Sequence, residues 1–248
     1  MVTRAEILKI RSLADKRGRD EHGLFVAEGE KIIRELLDSP LNVTGLYALE
    51  GVFGDRSGAT RVSRAEMERL SMLKTANNSL ATVEIPRYRF ELSAARENLV
   101  LALDDIGNPG NVGTLIRIAD WFGISDVICS PSTADCFNPK VVQATMGAII
   151  RVRVHYLDLT AVLKEAAHNG IPVYGTFLEG DNIYDARLGS SGIIVMGSEG
   201  RGISPEAAAS VTRKLFIPPY PADRRGSESL NVSTAAAVVC SEFRRGAK

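Results

Sequence analysis

The chain has 248 residues and carries 30 lysines and arginines against 30 aspartates and glutamates, so its formal net charge is zero. With 45% hydrophobic and 24% charged residues it has the composition of a globular protein, one large domain or two modest ones, and whole-chain disorder is excluded. No apolar run approaches the roughly 18 residues a membrane span needs, and the charged opening MVTRAEILKIRSLADKRGRD lacks a signal core, so a cytoplasmic protein is expected.

The first part of the chain, residues 1–92, alternates helices and strands. A helix over about 2–17 is followed by the strand LFVAEG, the helix EKIIRELLDS and the strand VTGLYALE. A glycine-rich turn, the helix RAEMERLSML and the strand LATVEIP complete a small α/β domain. The opening helix is basic, with Arg4, Lys9, Arg11, Lys16, Arg17 and Arg19 against Glu6 and Asp15. A solvated helix face accounts for that pattern more simply than a surface laid along phosphates. PRYRFELSAAREN, residues 86–98, reads as the linker, with 93–98 as its end.

Residues 99–248 form the second part. LVLALDDI is almost continuously apolar, as a parallel strand covered on both faces must be. Further strands are expected at DVICS, IIRVRVHYL, IPVYGTFL, GIIVMG and KLFIP, with helices over 112–122, 139–146, 159–169 and 230–245. The fold class is α/β, a small domain followed by a larger one with a mainly parallel sheet. Cys129, Cys136 and Cys240 are scattered and make no C-x-x-C, so neither a disulfide framework nor a metal site is expected. His22, His155 and His168 read as surface or loop residues.

Three loops carry the chemistry. In DDIGNPGNVGTLIRIADWFG, residues 104–123, a strand gives way to a helix near Val112, with Asn111 as its expected N-cap. Arg117 shares a polar stripe with Thr114 and Asp120, and its side chain should lean back toward Asn111. A surface Arg117–Asp120 pair is the ordinary alternative. In IVMGSEGRGIS, residues 194–204, glycines enclose Glu199 and Arg201. No Walker pattern is present, and Glu199 would repel a phosphate, so the glycines are read as admitting a neutral or cationic ligand to bare backbone. In LFIPPYPADRRGSESLNVSTAAAVVCSEFRR, Ser229 and Asn231 precede a small-residue helix that either can cap.

Taken in this order, the three loops resemble the motifs of the SpoU (TrmH-like) family of SPOUT RNA 2′-O-ribose methyltransferases. N-x-G-x-x-x-R matches Asn111, Gly113 and Arg117; G-x-E-x-x-G matches Gly197, Glu199 and Gly202. The third motif matches Ser229, Leu230, Asn231, Val232, Ser233 and Ala235, with Glu242 after it. LFVAEGEKIIRELL is similar to the family's N-terminal substrate-binding domain, itself like a small ribosomal protein. The resemblance implies a trefoil knot near the C-terminus, a homodimer with the site near its interface, and S-adenosylmethionine as cofactor, with no metal. The reaction it implies is methyl transfer to a ribose 2′-hydroxyl of RNA, with ribosomal RNA favoured over transfer RNA.

By the same resemblance the catalytic set is Arg117, Asn111, Glu199, Ser229 and Asn231, and the cofactor set is Gly197, Ile217, Leu230, Asn231 and Thr176. Arg117 would be the base, which an arginine performs only with help from a phosphate and a buried site. Otherwise it stays charged and grips the phosphate while orienting the hydroxyl. Glu199 is expected to hold an arginine or steady its turn. PYPADRRGSE, with Arg224, Arg225 and Glu228, is longer than the family's usual loop and offers an added RNA contact. Two rival readings stand beside this one. A dinucleotide-dependent oxidoreductase would use the imperfect glycine fingerprint at Gly107, Gly110 and Gly113, with Asp126 on the ribose. A non-catalytic RNA-binding module would not need the polar set.

Overall fold

The structure is a computed structural model that describes residues 2–54, 58–221 and 229–245. The chain divides into two compact units, one of residues 1–87 and 135–150 and the other of residues 88–134 and 151–248.

In chain order the first unit holds α1 (Arg4–Ser12), α2 (Lys16–His22), β1 (Leu24–Glu28), α3 (Glu30–Leu37), β2 (Val43–Ala48), β3 (Thr60–Arg61), α4 (Arg64–Leu70) and β4 (Ser79–Glu84). The second unit takes over with α5 (Ala94–Glu97), β5 (Leu99–Asp104), α6 (Pro109–Trp121) and β6 (Asp126–Cys129). The chain then returns to the first unit for α7 (Pro139–Thr145) and a 3₁₀ turn at Ala148–Ile150. It finishes in the second unit with β7 (Arg153–Tyr156), α8 (Leu159–His168), β8 (Val173–Phe177), β9 (Asp181–Asn182), β10 (Gly192–Gly197), α9 (Pro205–Ala208), β11 (Arg213–Phe216) and α10 (Val232–Arg245).

In the first unit a four-stranded sheet runs in the order β1-β4-β2-β3. Thr3 with Glu6 and Ser63 with Glu66 form capping boxes at the heads of α1 and α4. The expected single opening helix is two: α1 ends at Ser12 with Leu13 as its C-cap, and Asp15 is the N-cap from which α2 starts. Gly18 lets α2 pack closely on the end of α1, because the Ser12 carbonyl lies 2.1 Å from where its Cβ would be. Arg19 does not belong to a solvated face. It is 2% exposed, with Nη2 and Nε on the Asp135 carboxylate at 2.7 and 3.1 Å and Nη1 on the Leu13 and Ala14 carbonyls, both at 2.8 Å. Such a pair withstands burial because its charge and donors are answered together. Phe137 packs on Phe25 with ring centroids 4.9 Å apart, and α7 lies against β1.

The second unit is built on a seven-stranded sheet in the order β7-β6-β5-β10-β8-β11-β9, all of whose pairs are parallel. Every residue of β5 is buried, and only Gly197 of β10 is not fully so, as expected of strands covered on both faces. From β5 the chain crosses toward β6 and β7. From β10 it crosses the other way, to β11. The carboxyl ends of β5 and β10, paired at Asp104 and Gly197, therefore form a topological switch point, where parallel sheets place their ligands.

The opposite edge of this sheet holds a buried polar group. Asp126 opens β6 and receives Arg153 Nε at 2.8 Å, Arg153 Nη2 at 2.6 Å and His155 Nε2 at 2.9 Å. Burial by itself would push the Asp126 carboxyl up, but the bonds from His155 and Arg153 outweigh it and hold the carboxyl at about 2. His155 is a buried residue and not the surface or loop histidine expected. The rings of Tyr88 and Phe90 sit on it at 6.1 and 5.5 Å.

Candidate active site

Parallel strands deliver the three loops to one edge of the second unit's sheet. Residues 105–108 follow β5, 198–203 follow β10 and 217–231 follow β11, with β8 ending between β10 and β11. Of the last loop, residues 222–228 lie outside the described residues, and with them Arg224, Arg225 and Glu228.

α6 begins three residues earlier than its apolar pattern suggests. Pro109 occupies its first turn, and Asn108 is the cap, its Oδ1 accepting from the Gly110 and Asn111 N–H groups at 2.8 and 3.3 Å. Asn111 is thus not the N-cap. It stands inside the first turn with its side chain released for another partner.

That partner is Asn231. Its Oδ1 accepts from the Ser233 and Thr234 N–H groups at 3.0 and 3.3 Å and so caps α10. With the oxygen committed, the Nδ2 must face the other way. It donates to Asn111 Oδ1 at 3.2 Å and to Glu199 Oε1 at 2.5 Å. Ser233 Oγ adds a bond to the Asn111 carbonyl at 3.4 Å. One amide therefore joins residues from all three loops. Among the described residues Glu199 is held by this amide and by no arginine.

The glycine turn is closed on itself. Ser198 N–H donates to the Gly202 carbonyl at 3.0 Å, and Gly202 N–H returns to Ser198 at 2.8 Å. Gly202 has φ 68°, and a Cβ on Gly197 would meet the Gly202 and Ile203 backbone at 2.2 Å. The space beside Gly197 is filled by the chain's own turn, so this glycine is required by the loop before any ligand is considered. Arg201 forms an ion pair with Asp105, and Ser204 N–H donates to Asp104 Oδ2 at 2.7 Å.

Arg117 is exposed on α6 and has no hydrogen bond or ion pair among the described residues. The alternative, a surface Arg117–Asp120 pair, does not form, because Arg151 takes Asp120 with Nε at 3.0 Å and Nη2 at 2.8 Å. Thr176, the penultimate residue of β8, donates its hydroxyl to the Val195 carbonyl at 3.2 Å. Ile217 and Leu230 make no backbone hydrogen bond among the described residues. Ser229 is exposed and likewise unbonded there.

The dinucleotide reading fails on position. Asp126 is at the start of β6, level with Val100 and four residues short of the carboxyl edge, and is saturated by Arg153 and His155. Cys129 and Cys240 offer no nucleophile: burial raises the first thiol and pushes the second up to about 12. Among the described residues no group of three His, Cys, Asp or Glu side chains is placed to hold a metal ion. The signal for Asp105 and Arg201 as partners was absent from the sequence, since nothing local links two residues 96 apart.

Comparison with known proteins agrees with this arrangement. Residues 98–241 match the SpoU rRNA Methylase family, and residues 4–84 match an MRM3-like substrate binding domain. The chain is 28% identical over 240 residues to the Bacillus subtilis 23S rRNA (guanosine(2553)-2′-O)-methyltransferase RlmP, covering 94% of each chain. A TrmH-family protein of Porphyromonas gingivalis superposes with a TM-score of 0.89 at 38% identity over 99% of both chains. The AdoMet-bound rRNA methyltransferase of Sinorhizobium meliloti superposes with a TM-score of 0.83 at 26% identity, over 100% of this chain and 97% of its own. The fold, the order of the loops and the matched span together place this chain in the SpoU rRNA methylase family.

Proposed function

We propose that the chain transfers a methyl group from S-adenosylmethionine to a ribose 2′-hydroxyl of RNA, with large-subunit ribosomal RNA as substrate. The observation that carries this reading is the Asn231 amide, which ties Asn111 and Glu199 together at a switch point of the sheet, with Arg117, unpaired among the described residues, on the helix that follows Asn111.

The residues present fit the cofactor. Its purine and ribose need neutral backbone donors and acceptors, and Ile217 and Leu230 have backbone groups that make no hydrogen bond among the described residues, in loops that follow the same edge of the sheet as Thr176 and the closed turn at Gly197. S-adenosylmethionine supplies a methyl group already activated on sulfonium, so the protein is asked mainly to align the acceptor. Arg117 is available to the RNA, where its guanidinium grips a phosphate with two N–H groups and orients the hydroxyl. Asn111 and Glu199, held by Asn231, fix the wall of the site. Ser229, next to Leu230, orders the cofactor end.

A homodimer belongs to the same reading. Trp121 is 82% exposed on α6, one turn beyond Arg117, and a large aromatic in that position is what a second copy would cover. So does the knot: β11 follows β8 and β9 in the chain yet lies between them, and α10 then returns to α6, with Arg244 Nε on the Phe122 carbonyl at 2.9 Å. A cytoplasmic location belongs to the same reading.

Calorimetry with S-adenosylmethionine, with NADH as control, tests the reading first, followed by methylation of ribosomal and transfer RNA. Binding of S-adenosylmethionine alone and a 2′-O-methylated ribosomal nucleotide are expected. Binding of NADH, or methylation of transfer RNA only, would overturn the cofactor or the substrate.

A further inference from the structure

We propose that Asp105 and Arg201 are a positioning pair that holds the 198–202 turn in the attitude in which Glu199 meets Asn231. The proposal rests on the methyltransferase reading above for its catalytic consequence, and on the geometry alone for its structural one.

The turn has few other constraints at its tip. It is pinned at its base, where Ser198 and Gly202 exchange hydrogen bonds and the Gly202–Ile203 backbone closes over Gly197. Beyond the base, Gly200 has open space on its Cβ side. Two side chains leave the tip: Glu199 goes to Asn231 at the head of α10, and Arg201 goes to Asp105 at the end of β5. Both anchors belong to the second unit's framework, so the tip is strung between them. Asp104 adds a third hold just past the turn, through Ser204 N–H.

Asp105 is itself held from behind. Its backbone N–H donates to Ser130 Oγ at 2.9 Å, and its φ is 57°. A left-handed residue is most comfortable as glycine. An aspartate there gives up some backbone comfort and gains a carboxylate at the exit of the strand, and that carboxylate is spent on Arg201. Exposed ion pairs add little to global stability, and Arg201 is 78% exposed. The pair therefore acts on where Glu199 stands and not on whether the domain folds. When it is broken, the Glu199–Asn231–Asn111 network loses its alignment while the fold stays intact.

The test is a double-mutant cycle of Asp105→Asn and Arg201→Gln, with Arg201→Lys as the conservative rescue, read in steady-state methylation and in amide hydrogen exchange. Each single variant should lower kcat about tenfold with the KM for RNA unchanged, and the double variant should be no worse than either single. Arg201→Lys should recover most of the loss. Exchange at 198–204 should rise in both singles at an unchanged melting temperature. A raised KM for RNA and a changed salt dependence in Arg201→Gln, with Asp105→Asn neutral, would instead make Arg201 a direct phosphate contact and overturn the proposal. Unchanged exchange in the turn would overturn it as well. Faster exchange in a protein whose wild type transfers no methyl group would leave the pair standing and remove the methyltransferase reading.

Discussion

Asn231 Nδ2 and Asn111 Oδ1 are 3.2 Å apart although 120 residues separate them in the chain. The bond exists because the other end of the Asn231 amide is occupied as the cap of α10, which turns the nitrogen outward. A helix cap and an active-site link are thus made by one side chain, and the two uses can be separated by substitution.

Asn231→Asp keeps the capping oxygen but places a second carboxylate against Glu199. It should leave the melting temperature near that of wild type and remove methyl transfer. Asn231→Ala loses the cap too and should cost a further ~1 kcal/mol of stability. Thermal unfolding and a methylation assay on both variants check this; equal activity in Asn231→Asp and wild type would show that the link to Asn111 and Glu199 is idle.

Arg117 has no partner to lose within the described residues, so Arg117→Ala should change stability by less than about 0.5 kcal/mol. Methyl transfer should fall at least about a hundredfold, since the alanine neither grips phosphate nor orients the hydroxyl. S-adenosylmethionine binding by calorimetry should persist. Loss of binding together with activity would mark a structural arginine.

The Asp126 carboxyl, held at about 2 against an ordinary value of 3.8, contributes stability that is complete above about pH 4. Its folded value is the lower one, so the contribution disappears as the pH falls from about 4 toward 2. Asp126→Asn should therefore destabilise the protein by about 2 kcal/mol at neutral pH and by progressively less in acid. Melting curves of both proteins at several pH values give the comparison. A constant gap would remove the carboxylate's charge as the cause.

Deletion of the N-terminal part must take account of residues 135–150, which group with it. Val141, Val142, Ala148 and Ile149 are buried in the first unit, and stripping their cover costs about 2 kcal/mol for each of the larger ones. A chain lacking only residues 1–87 should be poorly soluble, and one in which 135–150 is also replaced by a short linker should fold. Circular dichroism and light scattering distinguish the two. Weakened RNA binding with retained S-adenosylmethionine binding in the second chain would support the first unit as the RNA-binding part.

Much of this was legible in the sequence because parallel strands announce themselves. GIIVMG is β10 from first residue to last, and LVLALD is β5. The three loops were visible through their glycines and asparagines, which mark turns and caps wherever they lie. Position within those loops was harder. Pro109 started α6 before its apolar pattern began, which moved the cap from Asn111 to Asn108. Arg201 and Glu199 are two residues apart, and nothing local tells which finds an acid and which an amide. The association of 135–150 with β1 depends on Arg19 meeting Asp135 and Phe25 meeting Phe137, pairings more than 100 residues apart that no periodicity encodes. The burial of His155 has no local signal, because its partner Asp126 is 29 residues away on the neighbouring strand.

The excursion of residues 135–150 also changes how the molecule comes apart. The backbone passes between the two units three times, at 87–88, 134–135 and 150–151. A protease that severs the segment 86–98 leaves two covalent passages intact, so the N-terminal fragment keeps only its packing, while α7 stays threaded into its old neighbours from the other fragment. The nicked protein should run as two bands in denaturing gels and as one species in native mass spectrometry, and its refolding after denaturation would require two separate chains to rebuild one core.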